Sequence, residues 1–79
     1  MNPIVTNVKP EQDYSLILQF SNGEIRRFDV KPYLNKGIFR ELQNLSKFYS
    51  VHLDGLSVEW DNEAAFCPDT VYLDSVKIN

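Results

Sequence analysis

Cysteine occurs once in this 79-residue chain, at Cys67. A lone cysteine excludes an intrachain disulfide, so the domain folds without a covalent staple, as expected in a reducing cytoplasm. Histidine also occurs once, at His52, so imidazole chemistry would have to recruit carboxylates from elsewhere. Glycine is scarce. Gly23, Gly37 and Gly55 are widely separated, each has a turn or helix-start explanation, and together they form no cradle for phosphate. Basic residues number 8 against 11 acidic, a net charge of −3 that lacks the cationic footprint needed to neutralise nucleic-acid phosphates. No apolar run is long enough to span a bilayer, and the first residues lack the basic-then-apolar pattern of a signal peptide. These absences predict a cytoplasmic protein that binds neither membranes nor, by itself, nucleic acid.

What the chain does contain is ordinary globular material, with 43% hydrophobic and 24% charged residues. Trp60, four tyrosines and five phenylalanines supply large units of burial, so disorder is not expected. The length fits one domain over residues 1–79. A domain of this size buries only about 60 to 65% of its unfolded surface, a thin margin that dimerisation would widen.

Period-two alternation marks the strands. Ile4 to Val8 reads as a first strand stopped by Lys9-Pro10, since proline cannot donate to a ladder. Tyr14, Leu16, Leu18 and Phe20 then alternate with Ser15, Ile17 and Gln19 before Ser21-Asn22-Gly23 turns the chain into Glu24–Val30. A two-residue Asn-Gly loop would set Leu18 against Arg27 and Leu16 against Asp29. A three-residue loop with Gly23 left-handed instead sets Leu16 against Phe28 and Tyr14 against Val30, gathering apolar residues on one face, and is the predicted geometry.

Pro32 ends that strand, and Asn35 is placed to cap a helix whose stripe is Leu34, Ile38, Leu42 and Leu45, with Phe39 beside it. Lys36, Arg40, Glu41, Gln43 and Asn44 form its outer face. A second hairpin is expected at Asp54-Gly55, where the surrounding sequence is nearly mirror-symmetric. A type I′ turn there pairs Leu53 with Leu56, Val51 with Val58 and Tyr49 with Trp60 on an apolar face. Ser50, His52, Ser57 and Glu59 fall on the other face, His52 opposite Ser57. After the acidic connection Asp61-Asn62-Glu63, Pro68–Tyr72 suits a short helical turn with proline first, whereas Val71–Ile78 could instead alternate as a sixth strand. The expected class is α+β, a small antiparallel sheet of hairpins in the order β-β-β-α-β-β. One main helix packs on it, and a short helical turn follows near the C-terminus.

No residue is assigned a catalytic, cofactor-binding or metal-binding role. His52 reads as a surface residue on the polar hairpin face. Cys67, between Phe66 and Pro68, reads as a small buried hydrophobe rather than a thiol activated at a helix start. Asp61, Glu63, Asp69 and Asp74 are acidic but match no calcium-loop spacing. Arg26 and Arg27, adjacent on a strand, point to opposite faces and cannot jointly clamp a phosphate. Unpaired strand edges are the feature that most suggests binding.

Phe28-Asp29-Val30-Lys31-Pro32-Tyr33-Leu34, followed by Gly37-Ile38-Phe39 and Leu42, resembles the bacterial and phage family known as domain of unknown function 2442. The resemblance extends to Pro3-Ile4-Val5, Val8-Lys9-Pro10, Leu16–Phe20 with Asn22-Gly23-Glu24, Phe48, Val58-Glu59-Trp60 and Pro68–Tyr72. The chain departs from it at Glu63 and Ala65, where many members carry Gly and Asp. The resemblance implies a small α+β domain that occurs alone or before a helix-turn-helix segment, often encoded beside another short protein as in toxin–antitoxin pairs. It implies no catalytic residues or cofactor. The expected function is a non-enzymatic interaction module, partnered by a second copy of itself or by a small co-encoded protein. The alternatives are a DNA-binding regulatory accessory whose partner supplies the DNA contacts and, further off, an enzyme of unknown type.

Overall fold

In chain order the computed structural model, which describes residues 2–79, begins with β1 (Val5–Pro10), β2 (Ser15–Phe20) and β3 (Ile25–Asp29). Two 3-10 segments follow, Lys31–Tyr33 and Gly37–Gln43, and then the single-turn helix α1 (Leu45–Phe48). The chain continues through β4 (His52–Asp54), β5 (Ser57–Glu59), α2 (Pro68–Leu73) and β6 (Val76–Lys77). One antiparallel sheet has the order β1-β2-β3-β6, and β4-β5 forms a separate ribbon. The α+β class with an antiparallel sheet is as expected from the sequence.

The β2–β3 hairpin adopts the bulged geometry. Leu16 faces Phe28 and Leu18 faces Arg26. The Phe20 N–H donates to the Glu24 carbonyl at 2.9 Å across a three-residue loop in which Gly23 takes φ +88°. Leu16, Leu18, Phe20 and Phe28 are therefore buried together. Strand β1 runs on through Pro10 instead of stopping before it. It lies at the sheet edge, where a missing N–H interrupts no ladder if it faces outward, and the Glu11 N–H resumes pairing with the Ser15 carbonyl at 2.9 Å.

The predicted main helix is broken into pieces. Gly37 sits at φ +50° and Lys36 is extended, so Asn35 cannot act as a helix cap. The following turn winds at three residues rather than 3.6, which aligns Phe39 with Leu42 and rotates Ile38 out to solvent, while Leu45 falls beyond the extended Asn44, in α1. Asn44 supplies the cap instead, its Oδ1 accepting the Ser46 N–H at 2.9 Å to start α1.

The second hairpin shifts by two residues from the predicted register. Asp54 pairs with Ser57 and Leu53 with Val58, leaving Gly55 and Leu56 as the turn. Gly55 is left-handed at φ +59° and Leu56 is not, which matches the pattern of type II′ rather than I′. A shift of two preserves which face each side chain occupies, whereas a shift of one would invert it. Val58 and Trp60 accordingly enter the core, but Tyr49, Leu53 and Leu56 remain substantially exposed, so the apolar face is only partly covered. His52 lies opposite Glu59, not Ser57. The Val5 N–H reaches the Leu56 carbonyl at 3.2 Å and ties the ribbon to β1.

A third tight turn, not anticipated, repeats the first. The Trp60 N–H donates to the Ala64 carbonyl at 2.8 Å, the Glu63 N–H to the Trp60 carbonyl at 2.9 Å, and the Ala64 N–H to Asn62 Oδ1 at 3.0 Å. The equivalent bonds in the first turn are Phe20 to Glu24, Gly23 to Phe20 at 3.0 Å, and Glu24 to Asn22 Oδ1 at 3.0 Å. Glu63, at φ +72°, occupies the place of Gly23. The turn folds Ala64–Phe66 back along β5, with Glu59 bridging Ala65.

Trp60 is central to the core. Its indole N–H donates to the Phe48 carbonyl at 2.8 Å, and its ring contacts Phe39, Phe48 and Phe66 at centroid separations of 5.8–6.3 Å. The C-terminal segment contains both of the structures that its sequence allowed, α2 and then β6. Arg26 fastens it to the sheet, donating through Nε to Ser75 Oγ at 2.7 Å and through Nη2 to the Ser75 carbonyl at 2.9 Å. The guanidinium also lies over the Tyr72 ring, 4.4 Å from its centroid, and pairs with Glu24, which accepts the Tyr72 hydroxyl at 2.9 Å.

Candidate functional site

Strand alternation divides the larger sheet into two unlike faces. Leu16, Leu18, Phe20 and Phe28 point into the core, which also contains Leu34, Leu42, Phe48, Val58, Trp60 and Val71. On the opposite face stand Ile17 and Gln19 of β2, Ile25 and Arg27 of β3, and Val76 of β6. Ile78 follows Val76 in period, and its N–H donates to the Ile25 carbonyl at 2.8 Å. Val76 is 67% exposed and Ile78 52%, while Ile17 and Ile25 are half-buried. Leu73, at the end of α2, is exposed as well. An antiparallel sheet ordinarily turns polar residues to water on its free side. Here the β3–β6 side of that face carries Ile25, Val76 and Ile78 around Arg27.

The two adjacent arginines diverge as strand geometry requires. Arg26 is drawn into the α2 network, and Arg27 pairs with Asp13 on the outer side of the sheet. Hydrogen bonding from Arg26 and Tyr72 lowers the Glu24 pKa, and hydrogen bonding from Ser15 lowers that of Asp13, with a smaller contribution from Arg27.

His52 stands outside the core on the ribbon's polar side. Its Nδ1 is 3.2 Å from the Ser50 carbonyl and 3.6 Å from Asp61 Oδ1, and its Nε2 is 3.4 Å from Glu59 Oε1. Both ring nitrogens thus face oxygen, an arrangement that suits imidazolium. The Ser50 carbonyl, then Glu59 and Asp61, raise the His52 pKa against a partly opposing desolvation. Close by, a shallow cavity of about 340 Å³ opens over Leu42 between Glu41, Lys47 and the Asp61–Asn62 turn. Its polar groups largely satisfy one another. Asn62 Nδ2 donates to Glu41 Oε1 at 3.3 Å, Ser50 Oγ donates to the Lys47 carbonyl at 2.7 Å, and Lys47 lies 3.9 Å from Glu41.

Cys67 is exposed rather than buried: it is the extended residue before α2, and it is its neighbour Phe66 that packs against Phe28, Tyr33, Phe39 and Trp60. Asp61, Glu63, Asp69 and Asp74 are not drawn together. Asp69 accepts from Asn2 Nδ2 at 3.0 Å and Asp74 from the Tyr33 hydroxyl at 3.5 Å, at separate places. Among the described residues, no group of three His, Cys, Asp or Glu side chains is arranged to hold a metal ion. No described helix is long and apolar enough to cross a membrane. The sequence pattern marked the strand carrying Ile17 and the core face beside it, but not the apolar residues on the opposite face. The signal available was the isoleucine at 17, one isoleucine at 25, and the alternating Val76 and Ile78.

These features define a small antiparallel α+β domain with one sheet face left partly apolar. Residues 5–76 match the family described as protein of unknown function, DUF2442, and the chain belongs to that family. Searches of curated proteins and of solved structures return no match.

Proposed function

We propose that this chain is a non-enzymatic interaction module that binds protein, either a second copy of itself or a small co-encoded protein, through the β3–β6 side of its outer sheet face. The observation that carries this reading is the exposure of Val76 and Ile78 beside half-buried Ile25, flanking Arg27 on the outer face of β3 and β6. Covering such apolar surface contributes roughly 25 cal/mol per Å², and a small domain with a thin margin gains proportionately from it. The short β6 edge adds little backbone pairing, and Lys77 blunts it, so recognition is by side chains on the face rather than by strand addition.

Size-exclusion chromatography with light scattering, run beside capture from the native lysate, tests the proposal. The wild-type chain is expected to self-associate or to retain a small partner. A Val76→Glu, Ile78→Glu double variant is expected to lose that association while keeping its melting temperature. A wild-type chain that stays monomeric at every concentration and retains no protein would refute the reading.

A further inference from the structure

We infer that Asn22 is a modification site controlled by folding: the native turn holds its amide intact, and opening of that turn commits it to deamidation. Asn22 precedes Gly23, which has no Cβ to shield its backbone nitrogen. In a mobile chain that nitrogen attacks Asn22 Cγ. The Cγ–NH₂ bond breaks, ammonia departs with the proton from Gly23, and water opens the resulting succinimide to aspartate or isoaspartate. The net change consumes one water and releases one ammonia.

The folded turn blocks the first step at both reacting groups. The Gly23 N–H is engaged with the Phe20 carbonyl at 3.0 Å. The Asn22 side chain is turned towards Glu24, its Oδ1 accepting the Glu24 N–H at 3.0 Å and its Nδ2 donating to Glu24 Oε2 at 2.6 Å. Glu24 is in turn held by Arg26 and the Tyr72 hydroxyl, so the lock on Asn22 extends to the docking of α2. The remaining asparagines make useful controls. Asn2 precedes proline, which has no N–H to lose, and Asn62 shares the turn geometry but precedes a residue with a side chain, Glu63. Isoaspartate would insert a methylene into the main chain of the loop that sets Leu16 against Phe28. A chain modified in this way cannot rebuild the hairpin in register.

The test is peptide mass mapping of the full chain after incubation at mildly alkaline pH, in buffer and in concentrated urea. Asn22 is expected to convert first among the asparagines in urea, and at least ~10-fold more slowly in buffer, equivalent to a local opening free energy of about 1.4 kcal/mol. A folded Glu24→Ala variant, checked by circular dichroism, should convert at a rate between the two. The isoaspartate fraction should fail to regain native circular dichroism when the urea is removed. Equal rates in buffer and urea, another asparagine converting first, or complete refolding of the isoaspartate chain would each overturn the inference.

Discussion

Replacing Trp60 with phenylalanine removes two things that the core depends on. The first is the indole N–H donated to the buried Phe48 carbonyl at 2.8 Å; without it that oxygen keeps only the longer bond from the Val51 N–H at 3.4 Å, a loss of about 0.5–1.5 kcal/mol. The second is the volume of the fused ring between Phe39, Phe48 and Phe66, whose loss adds roughly 1–2 kcal/mol of transfer and cavity energy. The sum, about 1.5–3.5 kcal/mol, is a large share of the roughly 4–12 kcal/mol expected for a domain of this length. At ~4–8 °C per kcal/mol, a mid-range loss of about 2.5 kcal/mol lowers the melting temperature by about 10–20 °C. Urea unfolding followed by far-ultraviolet circular dichroism measures it, with an unchanged m-value showing that only stability has moved. In the wild type, Trp60 is the sole tryptophan, so its fluorescence reports on this core and should give the same transition as circular dichroism. A loss below about 1 kcal/mol, or two separate wild-type transitions, would refute the placing of Trp60 at the centre of one cooperative core.

Two further outcomes follow from backbone and charge. Glu63→Gly should stabilise the protein by about 1 kcal/mol in the same urea assay, because it relieves a left-handed φ of +72° that costs a residue bearing Cβ roughly 1–2 kcal/mol, less the entropy of a freer unfolded chain; destabilisation would contradict the equivalence of the two turns. His52 should titrate by NMR above 6.5, its midpoint falling partway back in a Glu59→Gln, Asp61→Asn variant that leaves the Ser50 carbonyl in place. Since the folded pKa lies above the unfolded one, its small contribution is fully present below pH 6.5 and is lost as pH rises through the folded value. A midpoint at or below 6.5 would contradict the carbonyl and carboxylate contacts.

The sequence by itself determined the local pairing of the first hairpin. The alternation through Leu16, Leu18 and Phe20 and the left-handed tolerance of Gly23 leave one register that gathers the apolar residues, and that is the register observed. It also determined that His52 lies outside the core and that Arg26 and Arg27 diverge, since both depend only on period two. Elsewhere local signals were ambiguous or misleading. Asp54-Gly55 specifies a turn, but two registers differing by two residues present the same faces; in the one adopted, Leu53 packs against Val58 and Val5 bonds to the turn. The four-residue stripe from Leu34 promised an α-helix, while the chain after left-handed Gly37 winds at three residues per turn, burying Leu42 and packing Phe39 against the core while Ile38 stays exposed. The turn at Asp61-Asn62-Glu63 was hidden because glutamate stands where glycine would have announced it. The outer sheet face was invisible for a different reason. Val76 and Ile78 join Ile25 only through pairing of β6 with β3, two segments about fifty residues apart that no local pattern connects. Periodicity constrains which way a side chain points; only tertiary packing decides what, if anything, stands in front of it.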